Sequence, residues 1–111
     1  MNWTIFVSLR ATPKWLSLSL KERDQIASSC LGQAATDERV KMRFYDAEAF
    51  SGVCSDLAVF ETDDMGSYYF VMERFRNTAL LSEPYFEILD IIPALENGFQ
   101  AFQESELARS T

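Results

Sequence analysis

Histidine is absent from all 111 residues of the chain. That removes the usual general base near neutral pH and the commonest imidazole metal ligand. Ser-His-Asp and Cys-His triads, His-ligated heme and most zinc sites go with it. Cysteine is nearly as scarce: there are two, Cys30 and Cys54, with no Cys-x-x-Cys pair. Three prolines and four glycines, beside an apolar share of 48%, argue against a disordered or low-complexity chain. Positive charge is also short, with 10 Lys and Arg against 17 Asp and Glu and a net charge of −7. Such a surface lacks the basic face that gains from counterion release, so neither nucleic acid nor an anionic membrane is an expected partner. No apolar run reaches membrane-spanning length. The short run from Trp3 to Leu9 has no basic stretch before it and no small-residue cleavage site, so it reads as a strand and not a signal peptide. A cytoplasmic location with both thiols reduced is the expectation.

What the chain does contain is enough for a single domain, residues 1–111, with a tail from about residue 95. It is organised around Arg39–Thr62, where Val40, Met42 and Phe44 alternate with Lys41, Arg43 and Tyr45 in the period of a half-buried strand. Ser51 and Gly52 mark a wide turn, and Leu57–Phe60 is a second apolar run, so the stretch predicts a β-hairpin. Before it, Trp3, Ile5, Val7 and Leu9 share one face of a central first strand. Thr12-Pro13 starts a turn, and Ser19 and Glu22 have capping-box spacing for a helix beginning near Leu20. That helix buries Ala27, Cys30, Leu31 and Ala34. After the hairpin, Asp63 and Asp64 open a second helix with Met65, Tyr68, Met72 and Phe75 on one face. A loop from Asn77 to Glu83 leads to a last strand over Tyr85–Ile92, which Pro93 is expected to end. Leu95, Phe99 and Phe102 then form a short C-terminal helix.

Strand, helix, strand, strand, helix, strand predicts an α+β ferredoxin-like split βαβ sandwich, with a four-stranded antiparallel sheet and two helices on one face. Nothing remains to cover the other face. If each strand turns its most apolar side to the helices, that open face carries Phe6, Ser8 and Arg10 and then Lys41, Arg43 and Tyr45. Asp56, Ala58 and Phe60 follow on the third strand, and Tyr85, Glu87, Leu89 and Ile91 on the last. Four strands make it roughly 350 Å², large enough to mark an interaction site. Arg43 and Asp56 are expected side by side there, either as a charge pair recognising a ligand or as an ion pair at a dimer seam. Tyr45 and Tyr85 offer hydroxyl donors or packing. The candidate ligand-binding set is therefore Phe6, Arg10, Arg43, Tyr45, Asp56, Phe60, Tyr85 and Glu87. Asp46, Glu48 and Asp56 bring carboxylates together at the hairpin tip, but neither their spacing nor a central glycine matches an EF-hand loop. No residue is assigned a catalytic or metal-binding role, and no cofactor is expected.

Several segments carry a family resemblance. Thr12-Pro13-Lys14-Trp15-Leu16, Arg43-Phe44-Tyr45-Asp46-Ala47-Glu48-Ala49-Phe50, Cys54-Ser55-Asp56, Pro84-Tyr85-Phe86-Glu87 and Asp90-Ile91-Ile92-Pro93 occur in the order of the darcynin family. The chain resembles that group over nearly its whole length. Darcynins are uncharacterised, so the resemblance implies a family and no activity. More distantly, the layout is similar to the dimeric α/β-barrel superfamily, whose members pair open sheet faces around a pocket. Some of those are cofactor-independent monooxygenases; others degrade heme or dismutate chlorite using histidine. The resemblance implies a homodimer of the dimeric α/β-barrel type. The function read from it is binding of a small aromatic or hydrophobic ligand between sheet and helices, with or without cofactor-free chemistry. The alternative is a non-catalytic structural or protein-interaction module. An RNA-recognition-like role fits the fold and is opposed by the charge.

Overall fold

The chain begins with β1 (Trp3–Ala11), followed by the short α1 (Pro13–Leu16) and the long α2 (Leu20–Ala34). Strands β2 (Val40–Asp46) and β3 (Asp56–Thr62) form the hairpin. Helices α3 (Met65–Asn77) and α4 (Ala79–Ser82), strand β4 (Phe86–Leu95) and helix α5 (Gly98–Arg109) complete the order. This computed structural model describes residues 1–110. The strands pair in the order β2-β3-β1-β4, every neighbouring pair antiparallel, with α2 and α3 packed side by side on one face. This is the ferredoxin-like α+β sandwich.

Local chemistry places the starts of α1, α2 and α3 where the sequence predicts them. The Thr12 hydroxyl accepts from the Trp15 amide while Pro13 opens α1. Ser19 and Glu22 make both bonds of a capping box, at 3.2 and 3.0 Å, and satisfy two otherwise orphan amides. Asp64 accepts from the Gly66 and Ser67 amides and so caps α3. The core lies between β1, β3 and α3. Ile5, Val7, Phe60, Val71 and Phe75 are completely buried, and Phe60 meets Tyr68 edge-on at 5.4 Å. Both cysteines are free, Cys30 buried and Cys54 half-buried.

Four expectations are corrected. β4 continues through Pro93, which lies opposite Ile5, and ends at Leu95. Proline is tolerated because β4 is an edge strand, where a missing N–H costs no ladder bond. Asp56, Ala58 and Phe60 face the helices, not the open side; Ala58 and Phe60 have no exposure at all. Leu57–Phe60 is apolar on both faces, so alternation carries no parity, and the pairing of Phe60 with Ile5 decides it. Tyr85 and Ile91 also pack against the core. In β4 the register shifts opposite Ser8 and Leu9, leaving Leu89 as an extra residue, and this bulge breaks the period on which the expected parity rested. Finally, residues 79–82 are helical where a loop was expected, a single turn of tertiary packing around buried Leu80. Among the described residues no helix is long and apolar enough to cross a membrane.

Candidate functional site

Between α2 and the sheet lies a half-enclosed cavity of about 610 Å³. Its origin is in the side chains of α2. Only Cys30 and Ala34, in the last turns, are buried, while Ala27 and Leu31 line the cavity with Leu20 at its rim. Ala27, one turn after Arg23 on the inward side of α2, is too small to fill the space beneath it. Leu9 and Ala11 of β1, Phe44 of β2 and Phe86 of β4 make the floor, and Phe75 and Leu80 close the inner end. Trp15 of α1 forms the outer wall, its ring 4.9 Å from Phe86 and 5.5 Å from Tyr85. Two ties hold that wall in place. The Thr12 hydroxyl lies 3.0 Å from the carbonyls of Pro84 and Tyr85. The Arg23 guanidinium donates to the carbonyls of Trp15 and Leu16 at 3.2 and 2.9 Å, joining α1 to α2.

One edge of the cavity is acidic. Asp46 at the end of β2 lies directly opposite Asp56 at the start of β3, and Glu48 follows on the tip. An oxygen from each of the three carboxylates lies within 4.8 Å of the others, an arrangement able to hold a hard cation. Burial raises the Asp56 pKa above the ordinary carboxylate range, and the neighbouring charges of Asp46 and Glu48 push it further, against a lowering hydrogen bond from Ser55. Ser55 also ties the tip to β1, its amide donating to Leu9 at 2.8 Å and its hydroxyl accepting from Ala11 at 2.8 Å. The cavity therefore has apolar walls and a negative edge.

Of the eight candidate residues, Asp56 alone lines this cavity. Phe60 is core, and Tyr85 supports the Trp15 wall from behind. Phe6, Arg10, Arg43, Tyr45 and Glu87 lie on the open face, as expected. Arg43 does not meet Asp56: the two are on opposite sides of the sheet, and Arg43 sits 4.0 Å from Glu61 instead. Arg10 donates to the Val53 carbonyl at 3.2 and 3.0 Å, anchoring the hairpin tip. Sequence reasoning missed Trp15, Leu16, Arg23 and Ala27. The available signal was Ala27, a small residue on the face of α2 that also carries Cys30, Leu31 and Ala34.

The architecture defines a ferredoxin-like domain with a ligand-sized cavity under one helix. Residues 1–108 match the family described as "Darcynin, domain of unknown function". The chain belongs to the darcynin family. A Darcynin from Chromobacterium violaceum is 49% identical over 70 residues, 63% of this chain and 87% of that protein. A Darcynin homolog from Streptomyces avermitilis is 34% identical over 98 residues, 86% of this chain and 80% of that one. Among solved structures, a heme-binding protein from Thermus thermophilus superposes with a TM-score of 0.75 at 14% identity, over 90% of this chain and 43% of that one. A variant chlorite dismutase from Candidatus Nitrospira defluvii gives 0.72 at 10% identity, over 87% and 40%. These likenesses are of fold, and this chain spans well under half the length of those proteins.

Proposed function

We propose that this darcynin is a small-molecule-binding protein, holding a compact, mainly apolar ligand in the cavity between α2 and the sheet. The observation that carries the reading is the cavity itself. Its volume of about 610 Å³ falls in the range of small-ligand pockets, and Trp15, Phe44, Phe75 and Phe86 give it aromatic walls. Asp46, Glu48 and Asp56 are hydrogen-bond acceptors when ionised, so the ligand's polar end is a donor such as an amine or hydroxyl. Asp56, with its raised pKa, is the group to which we assign any proton exchange with that end. The working unit in this reading is a cytoplasmic homodimer whose open sheet faces oppose each other across Phe6, Tyr45 and Ile92, all exposed in the single chain.

The heme of the Thermus neighbour does not fit this cavity. Protein-bound heme iron takes axial ligands from His, Cys, Met or Tyr, and none of these lines the cavity. Its acidic edge would also repel the propionates. The test of the reading uses N-phenyl-1-naphthylamine, an apolar fluorescent probe, with thermal melting in parallel. The native chain is expected to enhance the probe's fluorescence and to melt higher with it. Ala27→Trp, which fills the cavity from an already formed helix, should weaken binding at least about 10-fold, or about 1.4 kcal/mol. Equal binding by native and Ala27→Trp proteins would show that the cavity is not the site.

A further inference from the structure

The C-terminal arm has no place in its own domain. α5 is 12 residues long and buries none of them; Phe99 and Phe102 are 73% and 57% exposed, their rings 6.2 Å apart. A helix of that length is marginal in water without packing. Its approach is nevertheless built. Asn97 takes the left-handed conformation at φ 55°, and at Gly98 a Cβ would come 3.1 Å from that of Leu95, so the chain turns tightly before the helix starts. On a helical projection Phe102, Phe99 and Leu107 span an arc of roughly 140°, interrupted by Gln103 and Glu106.

The shape of the whole chain points the same way. Its radius of gyration is 16.9 Å, where a compact domain of this length has about 13 Å, and it extends 63 Å along its longest axis. It exposes 7376 Å², against about 6,200 Å² for a folded monomer of 12.7 kDa. The excess of about 1,200 Å² exceeds the roughly 800 Å² that each partner buries in a standard interface. The open sheet face supplies only about 350 Å², so opposed sheets alone leave the interface short.

We propose that α5 is a dimerisation arm, docking Phe99 and Phe102 onto a second copy of this chain beside the seam of opposed sheets. This rests on the homodimer reading and adds the element that completes it. A two-fold pair satisfies both arms at once, each copy giving and receiving one. A membrane is a poorer occupant, because α5 carries Glu104 and Glu106 against the single Arg109 and lacks the basic polar face of interfacial helices. Two copies at −7 each repel, so added salt should tighten the pair, whereas it would loosen attachment to a basic partner.

Sedimentation equilibrium distinguishes the alternatives, applied to the full chain, a chain ending at Glu96, and a full-length Phe99→Gln, Phe102→Gln double variant. The full chain should be dimeric at tens of micromolar, with affinity rising from low to moderate salt. Both altered chains should dimerise about 100-fold or more weakly. The double variant keeps the chain length and all of the core, so it decides the matter even if the shortened chain folds poorly. A full chain that is monomeric at tens of micromolar overturns the arm and the homodimer together. A double variant that dimerises with native affinity overturns the arm alone and leaves the homodimer standing.

Discussion

The two long helices cover the same sheet and do opposite things to it. α3 buries Ser67, Val71, Met72 and Phe75 along its length, and Phe75 reaches both Phe60 at 6.2 Å and Phe44 at 6.1 Å. α2 is longer by two residues and buries only Cys30 and Ala34. The difference is side-chain volume. Large groups on α3 fill the gap to the strands, whereas Ala27 and its neighbours on α2 leave a cavity that the flanking Trp15 roofs over. One helix seals the fold; the other leaves a cavity in it.

Truncation should break this comparison most sharply. Phe75→Ala removes a fully buried ring and is expected to cost about 3–5 kcal/mol in urea unfolding, while Cys30→Ala on α2 should cost about 1 kcal/mol or less. Similar losses at the two positions would mean that α2 is as tightly packed as α3. The caps provide a second contrast. Asp64→Ala should lower the melting temperature by about 4 °C near neutral pH. The hydrogen bonds from Ser67 and its backbone amide hold the Asp64 carboxyl below the usual range. Its contribution is therefore present above the unfolded-state pKa and lost as pH falls through the folded one. The melting points of native and Asp64→Ala proteins should converge in acid; a gap that persists there would show that the effect is not that of the charged cap.

Asp56 should behave in the reverse sense, by a smaller amount. Its folded pKa is raised, so the folded state holds the proton more tightly, and stability falls as pH rises from the unfolded-state value through the folded one. Asp56→Asn removes that loss and should raise the melting temperature by about 1–3 °C at pH 7, the gain vanishing in acid below the ordinary carboxylate range. A lower melting temperature at pH 7 would mean that the carboxylate is satisfied by a partner other than the two acids beside it. A comparably small change is expected at the exposed α2 cap: Ser19→Ala should lower the melting temperature by about 2 °C, or about 0.5 kcal/mol, at any pH above the titration of Glu22. An effect of several kcal/mol would place the start of α2 in the cooperative core and remove the contrast with α3.

Much of the architecture was legible before the structure. Ser19 with Glu22, Asp64 before Met65, and the alternation of Val40, Met42 and Phe44 are local signals, and each specified an element within a residue or two. The order of those elements and the hand of their crossovers then left one sheet topology. The strand pattern points to a pocket lined from the open face, whereas the cavity lies on the helix side, and Asp56 is the single residue in common.

The reason lies in what a one-dimensional period can carry. Composition and spacing by themselves determined the α+β order, the starts of α1, α2 and α3, the absence of any imidazole chemistry, and the meeting of Asp46, Glu48 and Asp56 at the hairpin tip. Which way β3 faces was decided by Phe60 pairing with Ile5, because a strand apolar on both sides has no preferred parity of its own. Which way β4 faces was decided by the bulge at Leu89, a product of strand pairing. The cavity was decided by how far small side chains on α2 fall short of the strands below, and that distance exists only once helix and sheet are packed.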